Sequence, residues 1–337
     1  MKSTVIGMDI AKQVFQLHTV DRRSGEIERI KLRRAAVLPF FAQRPSSLVA
    51  MEACGSAHHW ARQLRALGHE VRLLAPKSVR PFVRANKTDA ADAQAIWTAV
   101  QQPDAKCVAI KTEQQQGTLA LHRLRAQLMK FRIMQTNALR GLLYEFGEVL
   151  PEGARALAKA WPAALARLDE RLPAMLLDSL REQWARVQQM ESEIAAIERR
   201  LASVLRASTP CQQIAAIPGV GLLTATATVA AMGDPSTFKS GRQFAAWLGL
   251  VPRQTGTGGR IRQLGLSKRG DTYLRTLLIH GARAVIARGT HSPWLQALLK
   301  RRAYSVAVAA LANKLARTIW AVLARGRPYD CAAFSAA

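Results

Sequence analysis

Short apolar runs alternate with amphipathic stretches over residues 3–109. Six runs have the length and β-branched content of strands, and they cover residues 4–8, 14–20, 27–32, 48–51, 71–74 and 107–110. Helical periodicity lies between some of them, for example over 56–67 and 90–100, and residues 21–25 have the composition of a hairpin turn. Three consecutive strands followed by strand-helix units predict an α/β domain in the order of a ribonuclease-H-like sheet.

From residue 113 the pattern becomes helical. Apolar residues recur every three or four positions over 113–144 and 175–205, a spacing close to that of a coiled-coil seam. Two helices packing within one chain and a seam between two subunits both fit this spacing. Pro151, Pro162 and Pro173 interrupt the helical pattern and predict a jointed connector. We therefore expect an α/β domain over 1–112, a helical connector over 113–208 and a mainly helical C-terminal domain over 209–337.

The charge balance indicates a polyanionic partner. The chain has 49 Lys plus Arg against 23 Asp plus Glu, a formal net charge of +26. Nucleic acid is the first candidate, and an anionic membrane is the competitor. We identify no apolar run as long as a spanning helix and no signal peptide, and therefore expect a cytosolic protein without a membrane partner. The four cysteines are far apart, which argues against a zinc site or disulfides and predicts buried, reduced thiols.

Four acidic residues stand at positions that suit metal chemistry. Asp9 and Glu52 each follow a short apolar, strand-like run, while Asp89 and Asp92 would share the first turn of a helix capped by Thr88. Acids at helix starts more often serve as caps or as partners of the helix dipole. In so basic a chain, however, this order fits two-metal phosphodiester chemistry, in which carboxylates hold Mg²⁺. We predict that these four acids converge at one edge of the sheet.

The C-terminal part carries a basic surface with two glycine-rich turns. The first turn, 217–221, resembles that of a helix-hairpin-helix element, in which Gly219 and Gly221 would let backbone N–H groups approach a phosphate. An ordinary Pro-Gly turn fits it equally well. Residues 239–288 then hold ten basic residues and one acid, interleaved with aromatic residues, which is typical of a surface that binds a nucleic-acid backbone.

The second turn, 253–260, combines glycines, a hydroxyl and arginines. Such a segment could bring a hydroxyl to a phosphate beside stabilising cations, although sequence chemistry alone favours a flexible basic loop that only holds nucleic acid. The residues that we expect to contact nucleic acid are Lys87, Gly219, Gly221, Arg253, Arg260, Arg262, Ser267, Lys268 and Arg269.

Six blocks together resemble a known family. Residues 6–12, 51–55 and 86–93, followed by 217–221, 244–252 and 266–271, are similar in order and content to the DEDD transposases of the IS-one-ten family, closest to its IS-eleven-eleven subgroup. Each block is weak alone, but together they cover nearly the whole chain.

The resemblance implies a bacterial insertion-sequence recombinase, cytoplasmic and associated with the nucleoid. Its parts would be a RuvC-like domain over 1–112, a coiled-coil connector over 113–208 and a transposase domain over 209–337. Members of the family are guided by a structured noncoding RNA whose loops pair with donor and target DNA. The resemblance assigns Mg²⁺ to Asp9, Glu52, Asp89 and Asp92, and an active site completed across domains or subunits implies a homo-oligomer, between dimer and tetramer.

The family also uses a serine nucleophile after its Gly-Leu-x-Pro block, and this chain departs from that pattern. Gly256 and Thr257 occupy the expected region, and Thr257 is the best-aligned hydroxyl. Its methyl group would crowd an in-line attack. Ser267 is the second candidate, although its Ser-Lys-Arg-Gly setting is more typical of a phosphate contact at a helix entry.

Two other functions fit the same residues. A Mg²⁺-dependent, RuvC-like Holliday-junction resolvase or nuclease would use the four acids alone and attack with water. A non-catalytic RNA- or DNA-binding protein would carry the acids as structural residues only, and its binding would not depend on them.

Overall fold

A six-stranded mixed sheet is the centre of the first unit of the structure, a computed structural model that describes residues 4–21, 24–83, 88–289 and 292–330. Its strands are β1 (Val5–Ile10), β2 (Val14–Val20), β3 (Ile27–Arg33), β4 (Leu48–Glu52), β5 (Glu70–Leu74) and β6 (Cys107–Val108). The order is β3-β2-β1-β4-β5-β6, with β1, β4 and β5 parallel and the other strands antiparallel to their neighbours. The prediction of an α/β domain is confirmed, and the sheet is consistent with a RuvC-like DEDD domain.

Both faces of this sheet are buried, because successive strand residues point to opposite sides. One core contains Met8 and Met51 and is covered by α1 (Val37–Ala42) and α2 (Ala57–Ala66). The other core contains Val5 and Ala50, together with α3 (Pro76–Val79) and α4 (Asp89–Val100). The strand and helix boundaries fall within one or two residues of most predicted ones.

The second unit is mainly helical. The units comprise Met1–Gln116 with Ala230–Phe244, and Gly117–Val229 with Ala245–Ala337. The remaining helices, some of which cross between these ranges, are α5 (Glu113–Tyr144), α6 (Ala154–Leu168), α7 (Ala174–Ala207), α8 (Thr209–Ala215), α9 (Leu222–Met232), α10 (Gly241–Trp247), α11 (Thr272–Ala287), α12 (Pro293–Arg301) and α13 (Tyr304–Arg325). The division into 1–112, 113–208 and 209–337 stays a prediction, because these units group the residues in another way.

Helices α5 and α7 pack against each other within the chain. Arg125 on α5 forms an ion pair of 2.6 Å with Glu198 on α7, and Arg132 lies 3.6 Å from Glu191. The residue numbers rise along one helix as they fall along the other, so the pair is antiparallel. Apolar residues at the predicted spacing line the buried side of α7: Leu177, Leu180, Val187, Ile194, Ile197 and Leu201. Intrachain packing thus accounts for this spacing, while a coiled coil between subunits remains a prediction.

Three expectations from the sequence are corrected. Pro162 does not interrupt a helix but lies inside α6, whose buried Leu157, Trp161 and Leu168 hold the helix together through tertiary contacts. The glycine-rich segment expected as a loop is a β-hairpin. Of the cysteines, Cys211 is buried, but Cys54 and Cys107 are exposed, and Cys331 lies outside the described residues.

Helix α13 also differs from the expectation that no run could span a membrane. It is 22 residues long and has a mean hydropathy of 1.4 over an 18-residue window, so by length and composition alone it is long and apolar enough to span a membrane. Half of the window is buried in the structure, where α13 packs against α11 and α8. This burial is typical of the core helix of a globular protein.

Candidate active site

Asp9 and Glu52 stand side by side at the carboxyl edge of the sheet. The parallel register of β1 and β4 pairs Met8 with Met51, so the residues that follow them are neighbours. Both methionines point into the core beneath α1 and α2. Since strand residues alternate in direction, the two carboxylates face the opposite side, which is the side of α4. Both acids are partly buried.

Gly7 allows helix α4 to lie directly on strand β1. A β-carbon added at Gly7 would lie 2.6 Å from the backbone nitrogen of Trp97 and would also collide with the carbonyl oxygen of Ala93. Only a residue without a side chain permits this contact, and it brings the first turn of α4 to the strand end that carries Asp9. A glycine inside a strand pattern often marks such a close approach, so the sequence held this signal although we assigned Gly7 no role.

The start of α4 is fixed by its cap. The Thr88 hydroxyl accepts a hydrogen bond from the backbone N–H of Ala91 at 3.2 Å, as predicted. The helix begins at Asp89, one residue before the predicted start. Asp89 is exposed and Asp92 is partly buried.

The four acids influence one another electrostatically. The pKa of Asp9 is raised to about 6, first by burial and then by the negative charges of Asp92, Asp89 and Glu52, although a hydrogen bond from the Ile10 backbone opposes the shift. Each of the other three predicted acids therefore acts on Asp9. Two parallel strand ends and one helix start thus place acids from three separate parts of the chain close enough for the others to act on Asp9.

The donor set fits a hard divalent cation. Carboxylate oxygens are the ligands that Mg²⁺ prefers, and a cation would offset both the burial of the Asp9 carboxylate and the repulsion from the neighbouring acids, which together raise its pKa. Among the residues that the structure describes, no three His, Cys, Asp or Glu side chains already stand in a metal-binding arrangement. To bind a cation jointly, the side chains of the four acids would therefore have to move.

Two further residues bear on this site. Cys54 follows Glu52 by two positions, and although the residue is exposed, partial desolvation of its thiol and the charges of Glu52 and Asp9 raise its pKa. The sequence did not predict that the Cys54 thiol lies near the acids, because its position depends on the direction in which the chain leaves β4. Lys87, a predicted nucleic-acid contact, lies outside the described residues.

Thr257 lies at the tip of an exposed hairpin rather than in a loop. Strands β7 (Pro252–Thr257) and β8 (Arg260–Leu266) are joined by a turn in which Gly258 and Gly259 have φ values of 54° and 79°. Positive φ at both turn residues is the geometry that glycine adopts without strain. The predicted loop is therefore wrong because the Gly-Gly pair makes a two-residue hairpin turn.

The register of the hairpin gathers hydroxyls and cations on one face. Thr257 stands opposite Arg260, and Thr255 stands opposite Arg262. Directly opposed residues share a face, as do alternate residues of one strand. The Thr257 hydroxyl is therefore flanked by two arginines on an exposed surface. Arg253, also exposed, falls at an irregularity in the pairing.

Backbone contacts hold the base of the hairpin. A β-carbon at Gly249 would lie 2.6 Å from the backbone nitrogen of Arg269, and one at Gly270 would collide with the carbonyl oxygen of Trp247. Lys268 adopts a φ of 51°, which is unusual for a residue with a side chain. Lys268 and Arg269 are both exposed beside this tight crossing.

Ser267 is placed differently from Thr257. Its backbone N–H donates to the carbonyl oxygen of Val251 at 2.8 Å, while its hydroxyl is buried without a hydrogen-bond partner among the described residues. A buried hydroxyl cannot reach a phosphate unless the segment opens. The geometry therefore favours Thr257 over Ser267 as the candidate nucleophile.

The turn at 217–221 joins α8 to α9, as the helix-hairpin-helix comparison expects. Gly219, with a φ of 88°, packs against α11, because a β-carbon there would lie 2.9 Å from the carbonyl oxygen of Gly281. Gly219 therefore has a packing role. Gly221 is exposed immediately before α9, and its contact with a phosphate remains a prediction.

A buried hydrogen-bond chain fixes α11, the helix that follows the hairpin. The Thr226 hydroxyl donates to the carbonyl oxygen of Leu222, so it accepts from Nε2 of His122 at 3.0 Å. Nδ1 of His122 is then free to accept from the Tyr273 hydroxyl at 2.9 Å. Burial and the nearby charge of Arg125 lower the pKa of His122 to about 4, so the imidazole is neutral at pH 7.

Two transposase family models match this chain. A transposase family model of the IS110 DEDD type matches residues 6–147, which include all four acids. A second model, the IS116/IS110/IS902 family of transposases, matches residues 211–300, which include the hairpin.

Three relatives are similar over nearly their whole length. A probable family 20 transposase of Pseudomonas aeruginosa is 48% identical over 98% of this chain and 99% of the relative. The transposase of insertion sequence element IS1111A from Coxiella burnetii is 40% identical over 98% of this chain and 92% of the relative. That of element IS1328 from Yersinia enterocolitica is 38% identical over 97% and 98%. The chain therefore belongs to the IS116/IS110/IS902 family of DEDD transposases, enzymes that recombine DNA.

Proposed function

We propose that this transposase is an RNA-guided DNA recombinase of an insertion sequence that cuts and rejoins donor and target DNA. The observation that carries the proposal is the Asp9 pKa of about 6, raised first by burial and then by the negative charges of Asp92, Asp89 and Glu52, in a chain whose net charge is +26. An isolated acidic cluster in so basic a protein suits a site that draws cations to a bound phosphodiester.

Asp9, Glu52, Asp89 and Asp92 would hold Mg²⁺. When bound, the cation supplies positive charge that favours the attacking oxygen and the leaving oxygen of the phosphodiester. The protein's own part would be to hold the carboxylates together, and the pairing of β1 with β4 and the close contact of α4 at Gly7 support this role.

The hairpin would supply the nucleophile. The Thr257 hydroxyl gives up its proton to solvent, its oxygen bonds to phosphorus, and the bond from phosphorus to one deoxyribose oxygen breaks. That oxygen leaves as a DNA hydroxyl, while the phosphoester on Thr257 retains the energy needed for rejoining. Arg260 and Arg262 lie on the same face and would stabilise the charge that develops on the phosphate.

Trapping the covalent adduct tests this assignment. The purified protein is incubated with Mg²⁺ and a nicked DNA substrate carrying the end of its insertion sequence, and the protein-DNA adduct is resolved by denaturing electrophoresis. We expect Asp9→Asn and Thr257→Ala to abolish the adduct, and Thr255→Ala, a matched threonine on the same hairpin, to retain it. An adduct that survives Thr257→Ala would show that another residue is the nucleophile.

Because the methyl group of Thr257 would crowd an attack by its hydroxyl, a second candidate function is a Mg²⁺-dependent RuvC-like resolvase or nuclease. In that case water attacks, the hairpin only holds DNA, and the acids alone are required. Cleavage that depends on Asp9, leaves no adduct and persists in Thr257→Ala would establish this second function. Binding without cleavage under any metal would instead indicate a non-catalytic binding protein.

The acids and Thr257 belong to different units, which is why we propose a homo-oligomer between dimer and tetramer. Exposed apolar side chains along α5, Leu124, Phe131 and Leu142, support a contact with a second copy. Mixing Asp9→Asn protein with Thr257→Ala protein tests this, because recovered activity requires the intact parts to come from two chains. Activity that is not recovered would place both parts of one site in a single chain.

We further propose that a structured noncoding RNA from the element guides the enzyme in the bacterial cytoplasm, in association with the nucleoid. The excess of cations supports a partner of this charge, because Lys and Arg bind the phosphates of any nucleic acid. RNA recovered from the natively purified protein is sequenced. One discrete RNA encoded beside the gene supports guidance, whereas random cellular fragments contradict it.

A further inference from the structure

A row of residues crosses the sheet from the acidic site to its edge. Asp9 on β1 pairs with Gln16 on β2, and Gln16 pairs with Lys31 on β3. Residues directly opposed in antiparallel strands share a face, so Lys31 points to the same side of the sheet as Asp9. Two strand spacings of about 4.8 Å each separate the two residues, or about 10 Å in all.

Arg29 and Arg33 stand on the same face of β3 as Lys31, because they are two positions before and after it. Their partners on β2 are His18 and Val14. The intervening Ile30 and Leu32 pack instead into the core beneath α1 and α2. Arg29, Lys31 and Arg33 are all exposed, and we call them the β3 cation row.

The charges of the β3 cation row are not neutralised within the described chain. None of its three members has an ion pair among the described residues. The other face of the strand differs, since Glu28 forms an ion pair of 3.3 Å with Arg44. Among the described residues of β3, the cations without an ion pair therefore lie on the face that carries the acids.

We propose, on the basis of the function proposed above, that the β3 cation row binds the sugar-phosphate backbone of the DNA strand that enters the acidic site. A span of about 10 Å between the row and Asp9, together with the reach of long Lys and Arg side chains, covers the phosphates that directly flank the scissile one. The acids would hold metal ions at the reacting phosphate, and the basic side chains of the β3 cation row would bind the flanking phosphates. Together they would fix the strand in register with the site.

The salt dependence of DNA binding tests the contact without relying on cleavage. Binding of a fluorescently labelled duplex that carries the element end is measured in Ca²⁺ at several salt concentrations. Each phosphate contact contributes about 0.9 to the slope of log K against log salt. We expect Lys31→Gln and Arg33→Gln each to reduce the slope by about 1. Arg65→Gln, an equally exposed arginine on α2 beyond the opposite face, should leave it unchanged.

Neutral phosphate analogues locate the contact. Methylphosphonates are placed one at a time along each strand, and their effect on binding is compared between the wild type and the variants. A position that weakens binding of the wild type and of Arg65→Gln but not of Lys31→Gln identifies the contacted phosphate, which should be one that flanks the cut. If Lys31→Gln and Arg33→Gln show the same salt dependence of binding and the same response to each methylphosphonate as the wild type, the proposal is overturned. Failure of the proposed function gives a different result, because the wild-type protein would then not cleave DNA.

Discussion

The backbones of Gly7 on β1 and Trp97 on α4 are in direct contact, because a β-carbon added at Gly7 would lie 2.6 Å from the backbone nitrogen of Trp97. The contact couples the spacing of β1 and α4 to the spacing of the carboxylates at their ends. The absence of a side chain at Gly7 thereby influences how strongly the acids of the candidate active site interact.

Replacing Gly7 by Ala should therefore both destabilise the protein and loosen the acids. Overpacking of this kind costs about 2 kcal/mol. We expect a lower unfolding midpoint and an Asp9 pKa closer to its ordinary value, measured by denaturation and by NMR titration. Gly141→Ala, at an open position in α5, should instead raise stability by about 0.5–1 kcal/mol. An unchanged midpoint in Gly7→Ala would mean that the strand and helix separate without cost.

The raised pKa of Asp9 predicts how stability depends on pH. A folded pKa of about 6 against 3.8 means that the folded state holds this proton more tightly than the unfolded state does. The penalty from Asp9 is absent below about pH 3.8, builds as pH rises toward 6 and is constant above. Asp9→Asn should remove this penalty and stabilise the metal-free protein at pH 7.5, as measured by thermal unfolding.

Mg²⁺ should stabilise the wild type more than Asp9→Asn. A ligand that binds only the folded protein raises its stability by RT ln(1 + [L]/Kd), which is about 2.7 kcal/mol at a hundredfold excess over Kd. The measurement is the unfolding midpoint with and without Mg²⁺ at fixed ionic strength. Equal stabilisation of both proteins would show that the cation binds elsewhere.

Thr257→Ser should form the DNA adduct faster than the wild type. The substitution keeps the hydroxyl and removes the methyl group that crowds the approach to phosphorus. We expect an increase of about tenfold, equivalent to about 1.4 kcal/mol of barrier. Single-turnover adduct formation measures the rate. A slower Thr257→Ser would mean that the methyl group positions the hydroxyl rather than hindering it.

The chain of hydrogen bonds through His122 should matter for stability. Tyr273→Phe leaves Nδ1 of His122 without its donor and should cost about 1–3 kcal/mol at pH 7. Tyr304→Phe, at a residue that is about half exposed, is the control and should change little. Because the His122 pKa is lowered from 6.5 to about 4, its contribution is complete above pH 6.5 and is lost as pH falls toward 4. His122→Gln should flatten that part of the stability profile.

Much of the N-terminal fold could be predicted because its signals are local. The apolar, β-branched run of β2 and the Thr88 cap of α4 are signals that depend on residues close in sequence, and both the strand and the cap are confirmed. The acids were predicted from their places at strand and helix ends. A glycine within β1 signals that some element approaches closely, but the sequence could not show which one, since α4 begins over eighty residues later.

The C-terminal hairpin was missed for a different reason. Its strands are exposed on both faces, so no alternation of apolar and polar residues marks them, and only Gly258-Gly259 signals the turn. Pro162 was misjudged because the buried face of α6 outweighs the lost backbone hydrogen bond. Both cases depend on context that a residue pattern does not contain.

Strand β3 ends the described sheet, and its outer backbone groups have no strand beside them. Such an edge can pair with the same edge of another molecule, and charged side chains along it are a common defence. Arg29, Lys31 and Arg33 would repel an identical strand from a second copy. The residues that we assign to DNA would thus also keep the DNA-free protein from aggregating through its own sheet.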